Sequence, residues 1–204
     1  GYRHIKLHEI AVEPIKAGRI AAGADIPLMI DCNCPWTIDE AITMAKRLAE
    51  FNPYWLEEPI WPPEDHKGLA RVRDFGGLRT AAGENAMLPE FKSMFEHAAL
   101  SFAQPSITKV GGVTMMRKVM TLADSFGVTV VPHSAYFGPG LLASIHCIAA
   151  MGIPTLVERY DADFAENLLH DAIHPRNNGC IPVPQGPGLG VDPDLKLVEK
   201  LRVL

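Results

Sequence analysis

Residues 54–61 read YWLEEPIW, a short apolar run that ends in two adjacent carboxylates, Glu57 and Glu58, followed by a proline. An apolar run of this length, stopped by proline, is typical of a strand buried on both faces. An ionised carboxylate at the end of a buried strand is costly unless a cation or a proton neutralises it. The stretch therefore predicts a buried strand, and the role of the two acids at its end has to be explained.

Similar apolar runs recur along the 204 residues, and each ends at a polar residue. Successive end residues are 22 to 27 positions apart, which suits one strand plus one helix and is too long for hairpins. The seven end residues are His8, Asp31, Glu57, Glu84, Ser106, His133 and Glu158. Strands that alternate with helices predict a parallel sheet.

The intervals between the runs carry helix signals. Thr37 and Glu40 have the spacing of a capping box, Pro89 can open a helix, and Gly127 can end one. Seven such units favour a TIM-like (β/α) barrel over an open sheet, but a complete barrel usually takes about 250 residues. We therefore expect an incomplete barrel, either a fragment or a chain whose earlier part is missing. The units would occupy residues 1–160, and the Pro- and Gly-rich residues 161–204 would close the same domain.

Composition limits the function classes. Hydrophobic residues make up 48% of the chain and charged residues 21%, as in ordinary globular proteins. The formal net charge of −5 gives no support for nucleic-acid or anionic-membrane partners. No apolar run approaches the roughly 18 residues of a membrane span, and no secretory leader opens the sequence. The four cysteines have neither zinc-site nor redox spacing, which favours a reduced, cytoplasmic protein.

Three consecutive strand ends carry acids: Asp31, Glu57 and Glu84. Because the C-terminal ends of parallel barrel strands meet at one mouth, we expect these carboxylates to converge there. Like charges at so short a distance are unfavourable unless a cation or a shared proton neutralises them. Ligands that offer only oxygen atoms favour Mg²⁺. The alternative is that the three acids are unrelated helix caps or surface charges.

Other strand ends offer groups for proton transfer. His133 is a candidate acid or base near neutral pH. Lys6 and His8 lie two positions apart on one strand and so share a face. A lysine beside Mg²⁺ could hold a carboxylate or, if desolvated, act as a base. The plain alternative for this pair is a strand that enters solvent at its edge.

Almost the whole chain resembles the C-terminal barrel of the mandelate racemase and muconate-lactonizing enzyme family of the enolase superfamily. An ordered set of motifs carries the resemblance: GYRHIKLH, DCN, WLEEP, GEN, KVGGVT, PHS, LVE and VPQGPGLGVD. The resemblance implies that residues 1–160 run from the second barrel strand to the eighth. It also implies that the first strand and an N-terminal capping domain are absent from this sequence.

The resemblance implies site residues as well. Asp31, Glu57 and Glu84 would bind Mg²⁺, with Asn33 and Asn85 in the polar network around them. His133 matches the family histidine of the seventh strand, and Glu158 matches a substrate-binding acid of the eighth. Lys6 and His8 match a lysine-x-lysine pair whose second lysine is histidine here. Such enzymes remove the proton α to a carboxylate, while Mg²⁺ and the lysine stabilise the resulting enediolate.

One further departure concerns the partner of His133. The position of a family aspartate is taken by Ser106, which cannot supply the charge that raises a histidine's pKa. We therefore expect Ser106 to be a supporting residue around the site that leaves His133 a weaker base. His133 would then act as an acid or as a neutral donor, and His8 would be the principal base. Lys109 lies nearby in sequence and is left without a role.

Three functions remain open at this point. The first is an acid-sugar dehydratase, in which proton abstraction is followed by loss of the β-hydroxyl group. The second is a racemase or epimerase of a 2-hydroxy acid, with His8 and His133 on opposite faces of the substrate. The third is a truncated fragment without activity. The expected partner is a small carboxylate, and the family resemblance implies a homo-oligomer.

Overall fold

The computed structural model describes residues 2–152, 155–162, 166, 168–169 and 172–203. These residues form six strands: β1 (Ile5–His8), β2 (Leu28–Asp31), β3 (Leu56–Glu57), β4 (Thr80–Ala82), β5 (Phe102–Ala103) and β6 (Thr129–Val130). They also form seven α-helices: α1 (Val12–Ala22), α2 (Ile38–Leu48), α3 (His66–Gly76), α4 (Leu88–Glu96), α5 (Gly112–Ser125), α6 (Pro139–Ala149) and α7 (Leu195–Lys200).

The strands form one parallel sheet in sequence order, β1 to β6. In this register His8 pairs with Asp31, and Asp31 pairs with Glu57. A helix follows every strand, as the spacing of the apolar runs predicts. The predicted parallel α/β architecture is confirmed, and three of the predicted strand-end residues lie side by side along one edge.

Local sequence explains several helix boundaries. Thr37 accepts a hydrogen bond from the backbone of Glu40, whose side chain in turn accepts one from the Thr37 backbone, so the predicted capping box opens α2. Pro89 lies in the first turn of α4, where its missing N–H costs nothing. Gly127 follows the end of α5 with a φ of 66°, a left-handed conformation that glycine adopts without strain.

Two separate apolar layers flank the strands. Inside the curve of the sheet, side chains from successive strands and their flanks pack together: Met29, Trp55, Ala81, Phe102 and Val131. On the outer side, the larger core lies between the sheet and helices α2 to α5. Because Lys6 is paired with Met29, whose side chain belongs to the inner cluster, the side chain of Lys6 also points to the interior of the barrel.

The seventh apolar run, IPTLVE, was predicted to be a strand. Residues 153 and 154 lie outside the described part, and residues 155–158 form no strand. Side chains hold this segment in place instead. The Thr155 hydroxyl donates to the carbonyl of Val130 in β6 (2.8 Å), and Glu158 forms an ion pair with Lys6 in β1. Residues 155–161 therefore contact both β6 and β1, the last and first described strands.

Beyond this segment, the predicted closing region contains α7, which the Pro- and Gly-rich composition did not indicate. Asp194 caps this helix by accepting from the backbone amides of Lys196 and Leu197. Within the described residues, the helices are too short or too polar to cross a lipid bilayer. All four cysteines lie in the described part and carry free thiols.

Candidate active site

The predicted site residues gather at the C-terminal end of the sheet. His8, Asp31 and Glu57 end β1, β2 and β3. Glu84 follows β4 by two residues, while Ser106 and His133 each follow their strand by three. The loops after the strands thus carry acids, histidines and hydroxyls to one mouth, which is where (β/α) barrels place their chemistry.

Lys6 stands at the centre of this mouth. Its Nζ lies 2.9 Å from Asp31 Oδ2, 2.8 Å from Glu57 Oε1 and 2.5 Å from Glu158 Oε1. The side chains of Asp31 and Glu57 are only 2% exposed, and that of Lys6 is 13% exposed. One ammonium group thus contacts carboxylates from β2, β3 and residues 155–161. The sequence placed Lys6 and His8 on one face of the strand without deciding which face, and in the structure the side chain of Lys6 points to the interior.

Burial and charge act in opposite directions within this cluster. Burial alone would lower the pKa of Lys6, but the charges of Glu57, Glu158 and Asp31 raise it above its ordinary value. Burial raises the pKa of Glu57 to about 8, and Lys6 offsets only part of that effect. The indole Nε1 of Trp55 also donates to Glu57 Oε2 (2.8 Å). Because three carboxylates share one ammonium, the ionised form of Glu57 is electrostatically unfavourable in the folded protein.

The raised pKa of Glu57 predicts how the free energy of unfolding depends on pH. Between about 4.5 and 8 the folded protein holds a proton on Glu57 that the unfolded chain has released, so the free energy of unfolding falls as pH rises across that window. The raised pKa of Lys6 does not affect the free energy of unfolding in this pH window, because Lys6 is protonated in both the folded and the unfolded protein below its ordinary pKa. We expect a decrease on the order of 3 kcal/mol relative to the Glu57→Gln variant.

Urea unfolding at several pH values, in the presence of a chelator, would measure this difference. The Glu57→Gln variant is the reference because it keeps the shape of the side chain and cannot titrate. Parallel pH profiles for the two proteins would show that Glu57 has an ordinary pKa in the folded state.

Glu84 belongs to a second cluster. Its Oε1 accepts from Lys109 Nζ (3.0 Å) and its Oε2 lies 3.1 Å from His133 Nε2, while Asn85 Oδ1 accepts from Lys109 (2.9 Å). Burial would raise the pKa of Glu84, but the hydrogen bond from Lys109 and the charges of His133 and Lys109 lower it below its ordinary value. Lys109, which had no predicted role, is therefore the direct partner of a predicted metal ligand.

The predicted convergence of three acids on one point is observed for two of them. Asp31 and Glu57 share Lys6, whereas Glu84 is turned toward Lys109 and His133. Across the part of the chain that the structure describes, no three His, Cys, Asp or Glu side chains are grouped closely enough to hold a metal ion. The assignment of these acids as magnesium ligands stays a prediction.

His8 lies on the exposed side of the Lys6 cluster. Its Nε2 contacts Asp31 Oδ2 (2.8 Å) and its Nδ1 faces the amide nitrogen of Asn33 (3.0 Å). An amide N–H can only donate, so Nδ1 accepts and Nε2 carries the proton toward Asp31. The ring is 59% exposed, which leaves it room to turn toward a bound molecule. The predicted polar contact of Asn33 is thus with His8, and its own backbone N–H also reaches Asp31 (3.3 Å).

His133 faces Glu84 on one side and Tyr136 on the other. Its Nδ1 lies 3.3 Å from the Tyr136 hydroxyl, which in turn contacts the hydroxyl of Ser106. Burial lowers the pKa of His133, and the charges of Glu158 and Glu84 only partly oppose this. Ser106 is fully buried and reaches His133 through the tyrosine, so the predicted support from Ser106 is indirect.

This arrangement predicts the effect of restoring a negative charge beside His133. Replacing Ser106 by aspartate is expected to raise the apparent pKa of His133 by about 1, because an anion within a few ångströms favours the imidazolium. An NMR titration of the histidine ring, or the pH–rate profile, would measure the change. An unmoved pKa would show that position 106 does not communicate with His133.

The sequence did not point to several residues of the site. The indole of Trp55 lies two positions before Glu57 on the same strand face, and this parity could have indicated it. Ser134 donates its backbone N–H to Glu158 Oε2 (3.0 Å) and its hydroxyl to the Glu158 carbonyl (2.7 Å). Tyr136 carries no sequence signal, because its place depends on the course of the loop between β6 and α6.

Comparison with known proteins agrees with this fold. A family model described as enolase C-terminal domain-like matches residues 1–197, and the chain belongs to this family. The match confirms the resemblance to the mandelate racemase and muconate-lactonizing enzyme group of the enolase superfamily.

Two characterised relatives and one solved structure illustrate the similarity. The 3,6-anhydro-alpha-L-galactonate cycloisomerase of Streptomyces coelicolor is 30% identical over 210 residues, covering 100% of this chain and 56% of the relative. The D-gluconate dehydratase of Thermoproteus tenax is 31% identical over 198 residues, covering 94% and 39%. A racemase from Streptomyces coelicolor, solved with bound magnesium, superposes with a TM-score of 0.79 at 30% identity over 98% of this chain and 57% of the other. The chain thus spans about half the length of these relatives.

Proposed function

We propose that the protein takes part in the magnesium-dependent removal of the proton α to the carboxylate of an acid sugar, followed by loss of the β-hydroxyl group as water. The observation that carries this proposal is the Lys6 cluster, in which a buried ammonium joins the carboxylates that end β2 and β3. The relatives named as sugar-acid dehydratases support the choice of reaction and substrate class.

The chemistry of the acids at the mouth fits Mg²⁺. Asp31, Glu57 and Glu84 offer only carboxylate oxygens, the hard ligands that this ion prefers. Asp31 and Glu57 already direct oxygens to one cationic position, and the raised pKa of Glu57 marks a carboxylate that lacks enough positive charge. Mg²⁺ bound by these residues would supply positive charge against the substrate carboxylate while the α-proton leaves.

The remaining roles fall to side chains of this chain. His8 would take the α-proton after its ring turns from Asp31, which its exposure permits. Lys6 would bind the substrate carboxylate, and Glu158, placed by Ser134, would hydrogen-bond a substrate hydroxyl. His133, as the imidazolium, would give its Nε2 proton to the β-oxygen as the C–O bond breaks and would be left as neutral imidazole, releasing water and an enol that becomes the keto acid. The same elimination would open an anhydro sugar acid, with the ring oxygen as leaving group.

A racemase or epimerase is the second candidate. His8 and His133 belong to separate clusters at the same mouth, so a substrate between them could lose a proton to one and regain it from the other. The similar structure described as a racemase favours this candidate. Dehydration is preferred because several relatives of the chain are named as sugar-acid dehydratases.

Solvent deuterium exchange, followed by NMR on a panel of acid sugars with Mg²⁺, would test these proposals. Exchange with formation of a keto acid indicates a dehydratase, and exchange with inversion alone indicates a racemase. A ring-opened product of unchanged mass would indicate a cycloisomerase. Absence of exchange from every acid sugar, with Mg²⁺ present and the protein folded, would contradict the proposed function.

A further inference from the structure

A long groove lies between α4 and α5 on the outer surface of the helix layer. It has a volume of about 870 Å³ and is lined by the first half of α4 and by one face of α5. Val113, Arg117, Thr121 and Ser125 recur at every fourth position on that face, so the groove follows α5 over about 18 Å, or about three turns of helix. The predicted residues of the active site do not line this α4–α5 groove, which is therefore a separate feature of the molecule.

The floor of the α4–α5 groove is apolar. Leu88, at the start of α4, and Leu122 of α5 are half-buried and pack against the core between the sheet and the helices. Pro89 and Val113 extend this apolar strip toward solvent, and Val113 is 50% exposed. An apolar strip that continues the core to the surface offers a place for apolar side chains of a partner.

The walls of the α4–α5 groove are cationic. Lys92 belongs to the wall on α4, and Arg117 and Lys118 belong to the wall on α5. Among the described residues, no Asp or Glu lines the groove. The whole chain has 24 acidic and 19 basic side chains, so the charge of the groove is opposite to that of the molecule. A groove of this charge favours an anionic partner.

The sequence of α5 leaves two of these cations without a local counter-ion. The positions three and four residues away from Arg117 and Lys118 hold only Val, Thr, Met and Leu, so no ion pair can form along the helix. Within the part of the chain that the structure describes, neither side chain has an ion-pair partner. Lys92 differs, because its Nζ donates to Glu96 Oε1 (2.6 Å). Arg117 and Lys118 therefore supply most of the uncompensated positive charge.

We propose that the α4–α5 groove is a docking site for an amphipathic helix of a partner protein, with apolar side chains on one face and carboxylates on its flanks. The length of the groove matches about three turns of such a helix. The apolar strip would cover the apolar face of the helix, and Arg117 and Lys118 would meet its carboxylates. This proposal is independent of the proposed function, because it uses no residue of the mouth of the barrel.

The two helices that form the groove favour a helix over an extended peptide. An extended peptide leaves its backbone N–H and C=O groups to be bonded by the site, as an open sheet edge would do. The backbone groups in the middle of α4 and α5 are already bonded within each helix. A helix satisfies its own backbone groups and needs only side-chain contacts. A compact anion would occupy only part of the length of the groove.

A second copy of this chain is a poorer occupant. Among the described helices, α7 has an exposed apolar row, in which Leu195, Val198 and Leu201 are 74%, 38% and 55% exposed. The same helix carries Lys196 and Lys200, which would be repelled by the cations of the groove. The charge of the groove therefore favours a different, acidic protein.

Peptide binding tests the groove directly. The probe is a fluorescein-labelled synthetic helix of about fifteen residues, with leucines on one face and glutamates on both flanks. The control peptide has lysine in place of each glutamate. By fluorescence anisotropy we expect saturable binding of the glutamate peptide, with an affinity that falls as salt is added, and no saturable binding of the lysine peptide.

Charge reversal tests whether the walls of the groove bind the peptide. The double variant Arg117→Glu, Lys118→Glu is expected to weaken binding of the glutamate peptide by about tenfold or more, because two attractions become repulsions. Both positions are exposed, and glutamate is a good helix former, so α5 should persist. The matched control is the double variant Lys46→Glu, Arg47→Glu, which changes the net charge equally at an exposed pair of cations on α2.

A further variant tests the floor of the groove without a change of charge. Val113→Ser is expected to weaken binding of the glutamate peptide about threefold, the usual effect of losing one buried methylene group. Ile20→Ser is the matched control, because Ile20 of α1 is 72% exposed and lies outside the groove. Circular dichroism would show that each variant is folded.

Several results would overturn the proposal. The first is equal binding of the glutamate and lysine peptides, and the second is an equal Kd for wild type and the Arg117→Glu, Lys118→Glu variant. Sedimentation velocity of the protein alone gives a third: self-association of wild type that the double variant lacks would give the groove to a second copy. Binding of 1-anilinonaphthalene-8-sulfonate at the groove without binding of the glutamate peptide would give it to a small organic anion.

Discussion

Replacing Glu57 by glutamine is expected to abolish magnesium-dependent turnover, by about a thousandfold or more, and to leave the fold intact. Loss of the metal's charge removes several kcal/mol of transition-state stabilisation, and each 1.4 kcal/mol is about tenfold in rate. The fold should persist because glutamine fills the same volume and can still accept from Trp55 Nε1. Near pH 5, where Glu57 is still protonated in the folded protein, the free energy of unfolding should change by no more than about 1 kcal/mol, because glutamine is then close in shape and charge to the residue it replaces.

Kinetics across a range of Mg²⁺ concentrations, together with urea unfolding, would check this result. Glu58→Gln is the matched control, because Glu58 is the neighbouring carboxylate and its side chain accepts from the Cys34 thiol, away from Lys6. Activity of Glu57→Gln comparable to that of Glu58→Gln would show that Glu57 does not bind the metal.

Replacing His133 by asparagine is expected to lower kcat by about a hundredfold to ten-thousandfold, the usual contribution of a general acid or base. Asparagine retains a polar amide that can still contact Glu84 or Tyr136, but it cannot transfer a proton near neutral pH. KM should change far less than kcat, because the lost interaction belongs to the chemical step. Steady-state kinetics with the acid sugar that shows α-proton exchange would measure both constants.

The matched control for this experiment is His66→Asn. His66 is also half-buried, and burial also lowers its pKa, but its Nδ1 bonds to Ser93 in the helix layer. A kcat for His133→Asn equal to that of the control would remove His133 from the mechanism.

The sequence predicted the frame of the site because the frame depends on local rules. The spacing of the strand ends predicted alternating strands and helices, and Thr37 with Glu40 predicted the start of α2 at the observed residue. Strand parity also placed Lys6 and His8 on one face, where both now contact Asp31. These features follow from periodicity and capping, which a short window of residues determines.

The pairing of side chains within the site was not predictable in the same way. Glu84 turns to Lys109 and His133, a choice set by loops after three different strands. Tyr136 reaches His133 through the path of the loop before α6, for which the sequence offers no period. Residues 155–158 were predicted to be a strand from their apolar character, yet side-chain contacts place them without ladder pairing. Such features depend on the relative positions of distant segments.

The side-chain contacts by which residues 155–161 join β6 and β1 have a consequence for local stability. Strands β2 to β4 are joined by backbone ladders on both sides, whereas residues 155–161 are fastened by contacts such as those of Thr155, Glu158 and Arg159. Such side-chain contacts break at a lower free energy than a ladder of backbone hydrogen bonds, so residues 155–161 should be the first part of the structure to unfold locally. Backbone amides of residues 155–161 should exchange with deuterated solvent well before those of the central strands.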